Sequence, residues 1–498
     1  MENEFSFRTR NQALKEATTK QLDLVVIGGG ITGAGIAWDA ALRGIHTVAF
    51  ERCDFAHATS SKTSKMIHGG LRYLRNLEFS LVRESLQERK ILLENARELV
   101  SWLPLVIPLF SPWDTLKFRT GLVLYDALAK EPSRKHRKLK KEQVLAAVPF
   151  LETPELRGGL QYWDAVMDDS RLNLAVMAAA ARNGALISNH AEVEDFVFAG
   201  GRVTGVRVRD RINGESFMVR ARQVVNATGP WGQTLDQKTG SPAPLRLRPN
   251  RGAHLIVSAH RLPTESALAI PLPGGRLLFV VPWQGKVVLG TTESVFAGDL
   301  DCVPTEGGEV DFLLELAGRF FPKVHLSRRD ILASFAGVRP LVDTGTRSLS
   351  RISREDKIVV SSAGLISVAG GKYTTFRRMA QKVVDHVVER IQEEARRFGP
   401  CRTKEMTLDG VLPPPPKRIP SAEDVRRSVH REMTMTLSDL LIRRTKAVLL
   451  EEDQGLGSAE KVSRIMAEEL GWTDAERQTQ VSIFRDEVSH CFKRGELL

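Results

Sequence analysis

Residues 24–51, LVVIGGGITGAGIAWDAALRGIHTVAFE, read as one strand–turn–helix–strand unit. Leu24, Val25, Val26 and Ile27 form an unbroken apolar run, the pattern of a parallel strand buried on both faces. The run leads into Gly28-Gly29-Gly30-Ile31-Thr32-Gly33, a G-x-G-x-x-G turn. Ile36, Ala37, Ala40 and Ala41 follow at helical spacing, Gly44 closes the helix, and Thr47-Val48-Ala49-Phe50 is a second strand ending at Glu51. In such a unit Gly28 permits the tight turn, Gly30 lets backbone N–H groups approach a pyrophosphate, and Gly33 lets helix and strand pack closely. The helix N-terminus faces the phosphate charge. Glu51 stands about twenty residues beyond the glycines, where a carboxylate accepts hydrogen bonds from ribose hydroxyls. The glycine pattern alone is weak evidence, but both strands, the helix and the acid together point to dinucleotide binding.

The chain has 498 residues, a length that suits about three domains. Its formal charge of +11 favours an acidic partner, whether an anionic substrate, an anionic membrane surface or nucleic acid. Cys53, Cys302, Cys401 and Cys491 are far apart and contain no C-x-x-C pair, so neither a zinc site nor a disulfide framework is expected, and no metal site is assigned. That cysteine usage suits a reducing cytosol. The polar start Met1-Glu2-Asn3-Glu4 and the lack of an apolar core before Leu24 give no sign of a signal peptide. No run of 18 apolar residues suggests a spanning helix, and the most apolar segment, 99–110, is interrupted by Pro104 and Pro108.

Residues 1–22 read as a polar N-terminal arm, and the spacing of Leu77, Leu81, Leu86, Ile91 and Leu92 predicts a helix within 75–103. Residues 134–141, RKHRKLKK, are a dense basic run, either a solvated face or a contact for anionic lipid or nucleic acid. Short strands are predicted at 185–187, 193–198, 203–208, 217–219 and 224–226, with Gly200-Gly201 as a hairpin turn. Strands dominate again over 252–293, and two more are expected at 358–361 and 365–368. Pro413 to Pro416 form a stiff spacer, followed by a charged region of helical periodicity.

Four further segments carry chemistry. Residues 58–74, ATSSKTSKMIHGGLRYL, are rich in hydroxyls and glycines suited to a loop lying against a polar cofactor. Residues 224–231, VVNATGPW, end a buried strand in small residues that let the backbone approach a ring system. In 336–341, AGVRPL, Arg339 follows an apolar run, and a buried guanidinium needs an anion or an internal carboxylate. Residues 367–377, SVAGGKYTTFR, repeat the order strand, glycine pair, helix start, giving a second helix N-terminus able to face an anion. Two such termini suit a two-headed cofactor, with one at the pyrophosphate and one at the flavin pyrimidine edge, which favours FAD over NAD.

Together these segments resemble the FAD-dependent glycerol-3-phosphate dehydrogenases, within the wider glycine oxidase/D-amino-acid oxidase-like flavoprotein superfamily. The resemblance runs from about residue 23 to 375, with a looser echo at 441–445, LIRRT. It rests on TSSKTSKMIHGGLRYL, VVNATGPW, GVRPL and GGKYTTFRR; GGGITGAGIAWDAALRG alone reaches only the superfamily. The implied fold is α/β. It joins a Rossmann-like FAD-binding domain (23–95, 166–240 and 331–395) to an antiparallel-sheet substrate domain (96–165 as a cap segment and 241–330). A Pro-rich linker (396–420) and a small C-terminal helical domain (421–498) complete it.

The implied reaction is oxidation of sn-glycerol 3-phosphate to dihydroxyacetone phosphate, hydride passing to FAD and electrons to a membrane quinone. The resemblance assigns His254, Arg339 and Lys372 to catalysis, with His254 the candidate base. Substrate contacts fall to Arg72, Tyr73, His254, Arg339, Arg354 and Lys372, the arginines offering planar forks for phosphate. Cofactor contacts fall to Gly28, Gly30, Ile31, Thr32, Gly33, Glu51, Arg52, Thr59, Ser60, Ser61, His68, Gly69, Gly70, Leu71 and Val193. Further along they fall to Ala227, Thr228, Gly229, Trp231, Gly371, Lys372, Tyr373, Thr374 and Thr375. Two departures stand out: Gly290-Thr291-Thr292 is followed by Glu293 where the family commonly shows Asp, and the region after Thr407 is shortened.

The protein is thus expected in the cytoplasm, as a homo-oligomer associated peripherally with the inner face of the cell membrane. Competing readings are a glycerol-3-phosphate oxidase that uses O₂, and a flavin-dependent oxidase or dehydrogenase of another small anionic hydroxy or amino acid. Nucleic-acid binding is not expected, because the 134–141 run has no interleaved aromatics for base stacking.

Overall fold

The computed structural model describes residues 5–151, 153–240, 245–343, 345, 355–392 and 398–497. Its organising element is the strand Leu22–Ile27, every residue of which is buried. It pairs in parallel with Ser216–Asn226 on one side and Thr47–Phe50 on the other. Ile366–Gly370 and Leu186–Ser188 extend the parallel set outward, and Asp356–Val360 closes one edge antiparallel. The helix Ile31–Leu42 lies between Asp169–Arg182 and Phe376–Ile391 on one face of this sheet. Small residues let the three approach: a Cβ on Gly35 would stand 2.9 Å from the Phe376 ring. Of the strands expected between 183 and 228, the last two are one, Ser216–Asn226, which starts in an antiparallel meander with Ala191–Ala199 and Arg202–Asp210 and ends in the parallel sheet. Gly200 and Gly201, both at positive φ, turn that meander.

The N-terminal segment expected as a polar arm is instead the helix Phe7–Thr19, opened by a capping box between Ser6 and Thr9. Leu14 and Ala17 pack with Val25 and Val48 under the sheet, and buried Arg10 pairs with Asp210 at 2.5 Å. Its apolar stripe is short and diluted by charges, so it does not stand out in the sequence.

Among the described residues the second sheet has ten strands and is antiparallel except where Ala267–Pro271 meets Val100–Leu109. Leu247–Ser258 is its centre, flanked by Lys286–Gly290 and Ile331–Val342. The strand Ile331–Val342 therefore belongs to this sheet, although the sequence division put its residues with the FAD-binding part. The helix predicted within 75–103 covers only Phe79–Asn95, because Val100–Leu109 is a strand. Pro104 and Pro108 are accommodated because they flank Leu105 and Val106, the pair that bonds Ala267 and Leu268. The basic run is not one loop either: Arg137–Lys140 is a strand on the edge of Gly158–Met167, with Leu139 buried.

Beyond residue 420 the chain is helical, with Ala422–Arg431, Ala459–Leu470 and Asp474–Cys491. Buried charges join it to the first sheet. Arg171 pairs with Glu432 at 2.8 Å and also donates to the Pro413 carbonyl, so the proline segment is tied down rather than a free spacer. Asp54 accepts from both Arg443 and Arg444, the latter at 2.9 Å through Nη2. Asp54, His190 and Asp439 bring ligand-type atoms within 4.8 Å of one another, but Arg443 bonds both carboxylates and the cluster is an ion-pair network. A disulfide joins Cys302 to Cys491, contrary to the expectation of unpaired cysteines. The two are 189 residues apart, and only the docking of the last helix brings them together. No helix of the described residues is long and apolar enough to cross a membrane.

Removing one partner of a buried pair leaves an uncompensated charge and costs about 3–5 kcal/mol. Asp54→Ala should therefore lower the urea midpoint of the first unfolding transition, with the C-terminal helices released first. An unchanged midpoint would show that Asp54 does not anchor them.

Candidate functional site: a cavity between two glycine turns

The first glycine turn is dictated by backbone contact. Gly28 has φ +112° and a Cβ there would lie 2.6 Å from the Ala227 carbonyl oxygen; one on Gly33 would lie 1.9 Å from the Gly28 carbonyl oxygen. Gly30 caps the helix Ile31–Leu42 without a side-chain hydrogen bond. The Ile31 N–H donates to Ser60 Oγ at 2.9 Å. Glu51 accepts from the Gly29 N–H at 2.6 Å and the Cys53 N–H at 2.8 Å. Burial raises its carboxyl above the ordinary range, while these two N–H groups pull the other way.

The second turn, Gly370-Gly371-Lys372, has both glycines at positive φ and leads through Tyr373–Thr375 into the helix Phe376–Ile391. Between the turns lies a cavity of about 440 Å³. Its walls include Gly28, Gly30, Ile31, Thr32, Glu51, Arg52, Thr59, Ser60, His68, Gly70, Leu71 and Val193. They continue through Ala227, Thr228, Gly229, Trp231, Gly371, Lys372, Tyr373 and Thr374. Arg72, Tyr73, His254 and Arg339 line the same cavity.

Gly33, Ser61, Gly69 and Thr375 do not line it. Gly33 is spent on packing against Gly28. Ser61 gives its carbonyl to Lys65 Nζ, the Gly69 N–H donates to Asp164, and the Thr375 N–H returns to the Lys372 carbonyl. Arg354 lies outside the described residues.

The cationic end of the cavity is built around one ring. Lys372 Nζ stands 4.6 Å and the Arg72 guanidinium 5.1 Å from the centre of Tyr73, and Lys372 donates to Ser85. Arg339 comes from the central strand pair, where it sits opposite Asn250, and donates to Asn250 Oδ1 at 2.7 Å and Thr291 Oγ1 at 3.3 Å. Its fork lies across Gly252, where a Cβ would meet Nη2 at 2.5 Å. His254 stacks on Phe335 at 4.9 Å, and its Nε2 is 2.8 Å from Ser64 Oγ. Burial, then the charges of Arg339 and Lys65, hold the imidazole well below its ordinary pKa, so it is neutral at physiological pH. Lys65 is itself fixed by Asp169 at 2.9 Å.

The sequence reading missed Ser64 and Asp164. Ser64 lies in the quoted 58–74 segment but had no distinguishing chemistry there. Asp164 is a lone acid in the apolar strand Gly158–Met167; it lines the cavity and accepts from the Gly69 N–H at 3.0 Å and the Tyr125 hydroxyl at 2.6 Å.

Two helix-opening turns facing one cavity, with an acid at the end of the second strand and a cationic pole opposite, define a flavin-dependent oxidoreductase. A family model of FAD-dependent oxidoreductases matches residues 23–377, and one for the C-terminal domain of alpha-glycerophosphate oxidase matches residues 413–477. The chain is 36% identical over 414 residues to the aerobic glycerol-3-phosphate dehydrogenase of Bacillus subtilis (strain 168), covering 82% of this chain and 75% of that protein. A relative of the same name from Staphylococcus haemolyticus (strain JCSC1435) is 36% identical over 402 residues, 80% of this chain and 72% of that one. Among solved structures, the glycerol-3-phosphate dehydrogenase from Bacillus halodurans complexed with FAD superposes with a TM-score of 0.80 at 29% identity, covering 98% of each chain. The L-alpha-glycerophosphate oxidase from Mycoplasma pneumoniae with FAD bound shares the fold, with a TM-score of 0.62 at 18% identity over 76% of this chain and 96% of that one. The chain belongs to the FAD-dependent oxidoreductase family and, within it, to the FAD-dependent glycerol-3-phosphate dehydrogenases. Its cofactor is FAD.

The tightest backbone contact gives the sharpest check on the cofactor site. Gly33→Ala should force helix and turn apart and lower the ratio of visible flavin absorbance to protein absorbance in the purified protein roughly tenfold or more, about 1.4 kcal/mol or more of binding. Full flavin content in that variant would mean the turn can widen without losing its ligand.

Proposed function

We propose that this protein oxidises sn-glycerol 3-phosphate to dihydroxyacetone phosphate and that its electrons leave for a membrane quinone. One observation carries the reading: Arg72, Arg339 and Lys372 line the same cavity as a neutral buried histidine and the two glycine turns. Three cations suit a phosphate dianion better than the single negative charge of a carboxylate. Arg72 and Arg339 grip the phosphate, and Tyr73 supports the cationic pole. Lys372 lies between substrate and cofactor. The Gly28–Thr32 turn holds the pyrophosphate, Glu51 the ribose, and the hydroxyl-rich 58–74 loop with Ala227, Thr228 and Gly229 the ring system.

FAD, when bound, supplies the acceptor for the hydride that leaves C2. His254 accepts the proton of the C2 hydroxyl at Nε2, relayed or oriented by Ser64, and the C2–O bond becomes a carbonyl. The lowered basicity of His254 comes from burial and from Arg339 and Lys65. A bound dianion acts in the opposite sense to those cations, so substrate binding makes the imidazole a better base. The quinone is met from the membrane surface.

A second reading is supported by the match of residues 413–477 to an alpha-glycerophosphate oxidase domain: electrons pass to O₂ and give peroxide. Stoichiometric peroxide in air, without reduction of a quinone analogue, would favour it.

Anaerobic addition of sn-glycerol 3-phosphate should bleach the visible flavin band, and a band that persists would refute the substrate. Arg339→Lys should lower kcat/KM at least about 30-fold, the low end of the ~2–5 kcal/mol typical of a lost buried charged contact, since one ammonium cannot replace a bidentate fork. A near-normal value would remove Arg339 from the phosphate.

The pH profile tests His254. Its pKa is lowered in the folded, free enzyme, so the acid limb of kcat/KM should fall below the ordinary imidazole range. The limb of kcat, which reports the substrate complex, should lie higher, and His254→Gln should abolish both. The same lowering makes the unfolded state bind the extra proton first. Stability is therefore full above the ordinary imidazole value and declines as pH falls below it toward the folded value. Limbs unaltered in His254→Gln would assign the proton to another group.

A further inference from the structure

The strand Leu247–Ser258 carries Asn250, Gly252 and His254 on one face, since side chains alternate along a strand and the pairing with Ile331–Val342 keeps its register through this stretch. Across from them stand Arg339, Gly337 and Phe335, in that order. His254 stacks on Phe335, and Gly252 leaves the middle of the row open. The Arg339 fork fills that opening: a Cβ on Gly252 would meet its two terminal nitrogens at 2.5 and 2.8 Å. Fork and imidazole therefore lie on a single row, about two residues or roughly 7 Å apart at the rise of an antiparallel strand. That spacing suits a substrate whose phosphate and reacting hydroxyl are on neighbouring carbons.

Asn250 is fully buried and is not part of the cavity wall. Its Oδ1 accepts from Arg339 Nη1 at 2.7 Å, the orientation a guanidinium demands because it has only donors to offer. Thr291 holds the other arm: its hydroxyl donates to the Thr292 carbonyl at 3.1 Å and accepts from Arg339 Nη2 at 3.3 Å. The amide is not the best residue for the fold. Asn250 Nδ2 is buried with no acceptor among the described residues, a penalty that a leucine or an aspartate would remove. Arg251, one residue along and on the opposite face, shows the alternative the same strand uses: it pairs with Glu306 at 2.6 Å and Glu309 at 3.4 Å. To Arg339, on the cavity side, the strand offers an amide.

We propose that Asn250 is a positioning residue of the phosphate clamp: its amide oxygen holds the Arg339 fork over Gly252 and, being neutral, does not compete with a substrate dianion for the guanidinium. The inference rests on the assignment of Arg339 to the phosphate. Asn250 touches neither substrate nor cofactor and acts through Arg339. A carboxylate in its place would satisfy the fork better and the substrate worse, so the residue that best suits the fold differs from the one that suits the site.

Two variants of the FAD-loaded protein test this. Both keep the branched shape at Cγ and leave the glycine turns untouched, so flavin content should match the parent. Asn250→Leu removes the acceptor. Its KM for sn-glycerol 3-phosphate should rise about tenfold while kcat changes less than about twofold, the split expected when ground and transition states lose the same contact. Asn250→Asp sets a carboxylate against the fork. Its KM should rise roughly hundredfold, while its thermal midpoint equals or exceeds the parent's. Inorganic phosphate should raise the parent's thermal midpoint by binding the folded state, raise that of Asn250→Leu less, and leave that of Asn250→Asp where it is. Three results would overturn the proposal. The first is a KM within about twofold of the parent in both variants while Arg339→Lys is impaired, meaning the fork is held without Asn250. The second is an equal rise in both, which would make the neutrality of the amide irrelevant. The third is loss of flavin from both, which would make Asn250 a packing residue. A near-normal Arg339→Lys would remove the clamp itself and this inference with it, so that variant tells the two failures apart.

Discussion

Backbone packed on backbone, with no side chain between, is the contact on which the rest of the structure depends. Gly33 rests against the Gly28 carbonyl, and Gly28 against the carbonyl of Ala227 at the end of the neighbouring strand. These approaches bring the helix Ile31–Leu42 down onto the sheet and set its N-terminus at the cavity, which Gly30 and Ile31 line. They also fix where Ser216–Asn226 ends, which sets Thr228 and Gly229 on the cavity wall. A methyl group at either glycine would need the strand, the turn or the helix to shift, and each of the three carries part of the wall. The same tightness extends outward through Gly35 and the alanines of the helix to Phe376, the residue that follows the second turn. The two turns are thus held at a fixed separation by a layer of small residues.

Charge does a different task. Lys65–Asp169, Arg171–Glu432 and the Asp54–Arg443–Arg444 set are all buried, and none lies within a single element. Such pairs add little net stability over an apolar core, because desolvation offsets most of the attraction. What they penalise is misalignment: any arrangement that separates the partners strands a charge away from water. Lys65–Asp169 holds the hydroxyl-rich loop to the start of the helix Asp169–Arg182, and Arg171, two residues along the same helix, holds the C-terminal helices. One short helix N-terminus therefore aligns the cavity wall and the C-terminal unit together.

What was legible in the sequence follows the range of the constraint. The strand Leu22–Ile27, the glycine turn, the helix after it and the Gly200-Gly201 hairpin are set by residues adjacent in the chain, and they stand in the sequence as they do in the fold. Residues of the segments quoted at 58–74, 224–231, 336–341 and 367–377 converge on one cavity. The rest depends on long-range partners. Nothing near Cys302 announces Cys491, and nothing near Arg10 announces Asp210. The strand Ile331–Val342 pairs along the full length of Leu247–Ser258, a choice made by register between distant segments and invisible in its own pattern. Asp164 went unnoticed because a single acid in an apolar strand is meaningful only once the Gly69 N–H, Tyr125 and Arg89 surround it.

The position of Asp164 links the two halves of the molecule in a way neither sheet does alone. Burial pushes its carboxyl up, and the donors that hold it down come from separate elements: Arg89 from the helix Phe79–Asn95, Tyr125 from Pro112–Ala129 and the Gly69 N–H from the loop at the cavity. The three donors share one oxygen, Oδ1, so the outer helix and the Gly69-Gly70 turn are joined through a single atom. Gly70 is held at positive φ, and a Cβ on it would strike the Tyr73 ring at 2.3 Å. That ring is the one on which Arg72 and Lys372 converge. The path from the exposed crest of Pro112–Ala129 to the cationic pole of the cavity is therefore short and made of shared atoms: one carboxylate oxygen, one glycine pair and one aromatic ring.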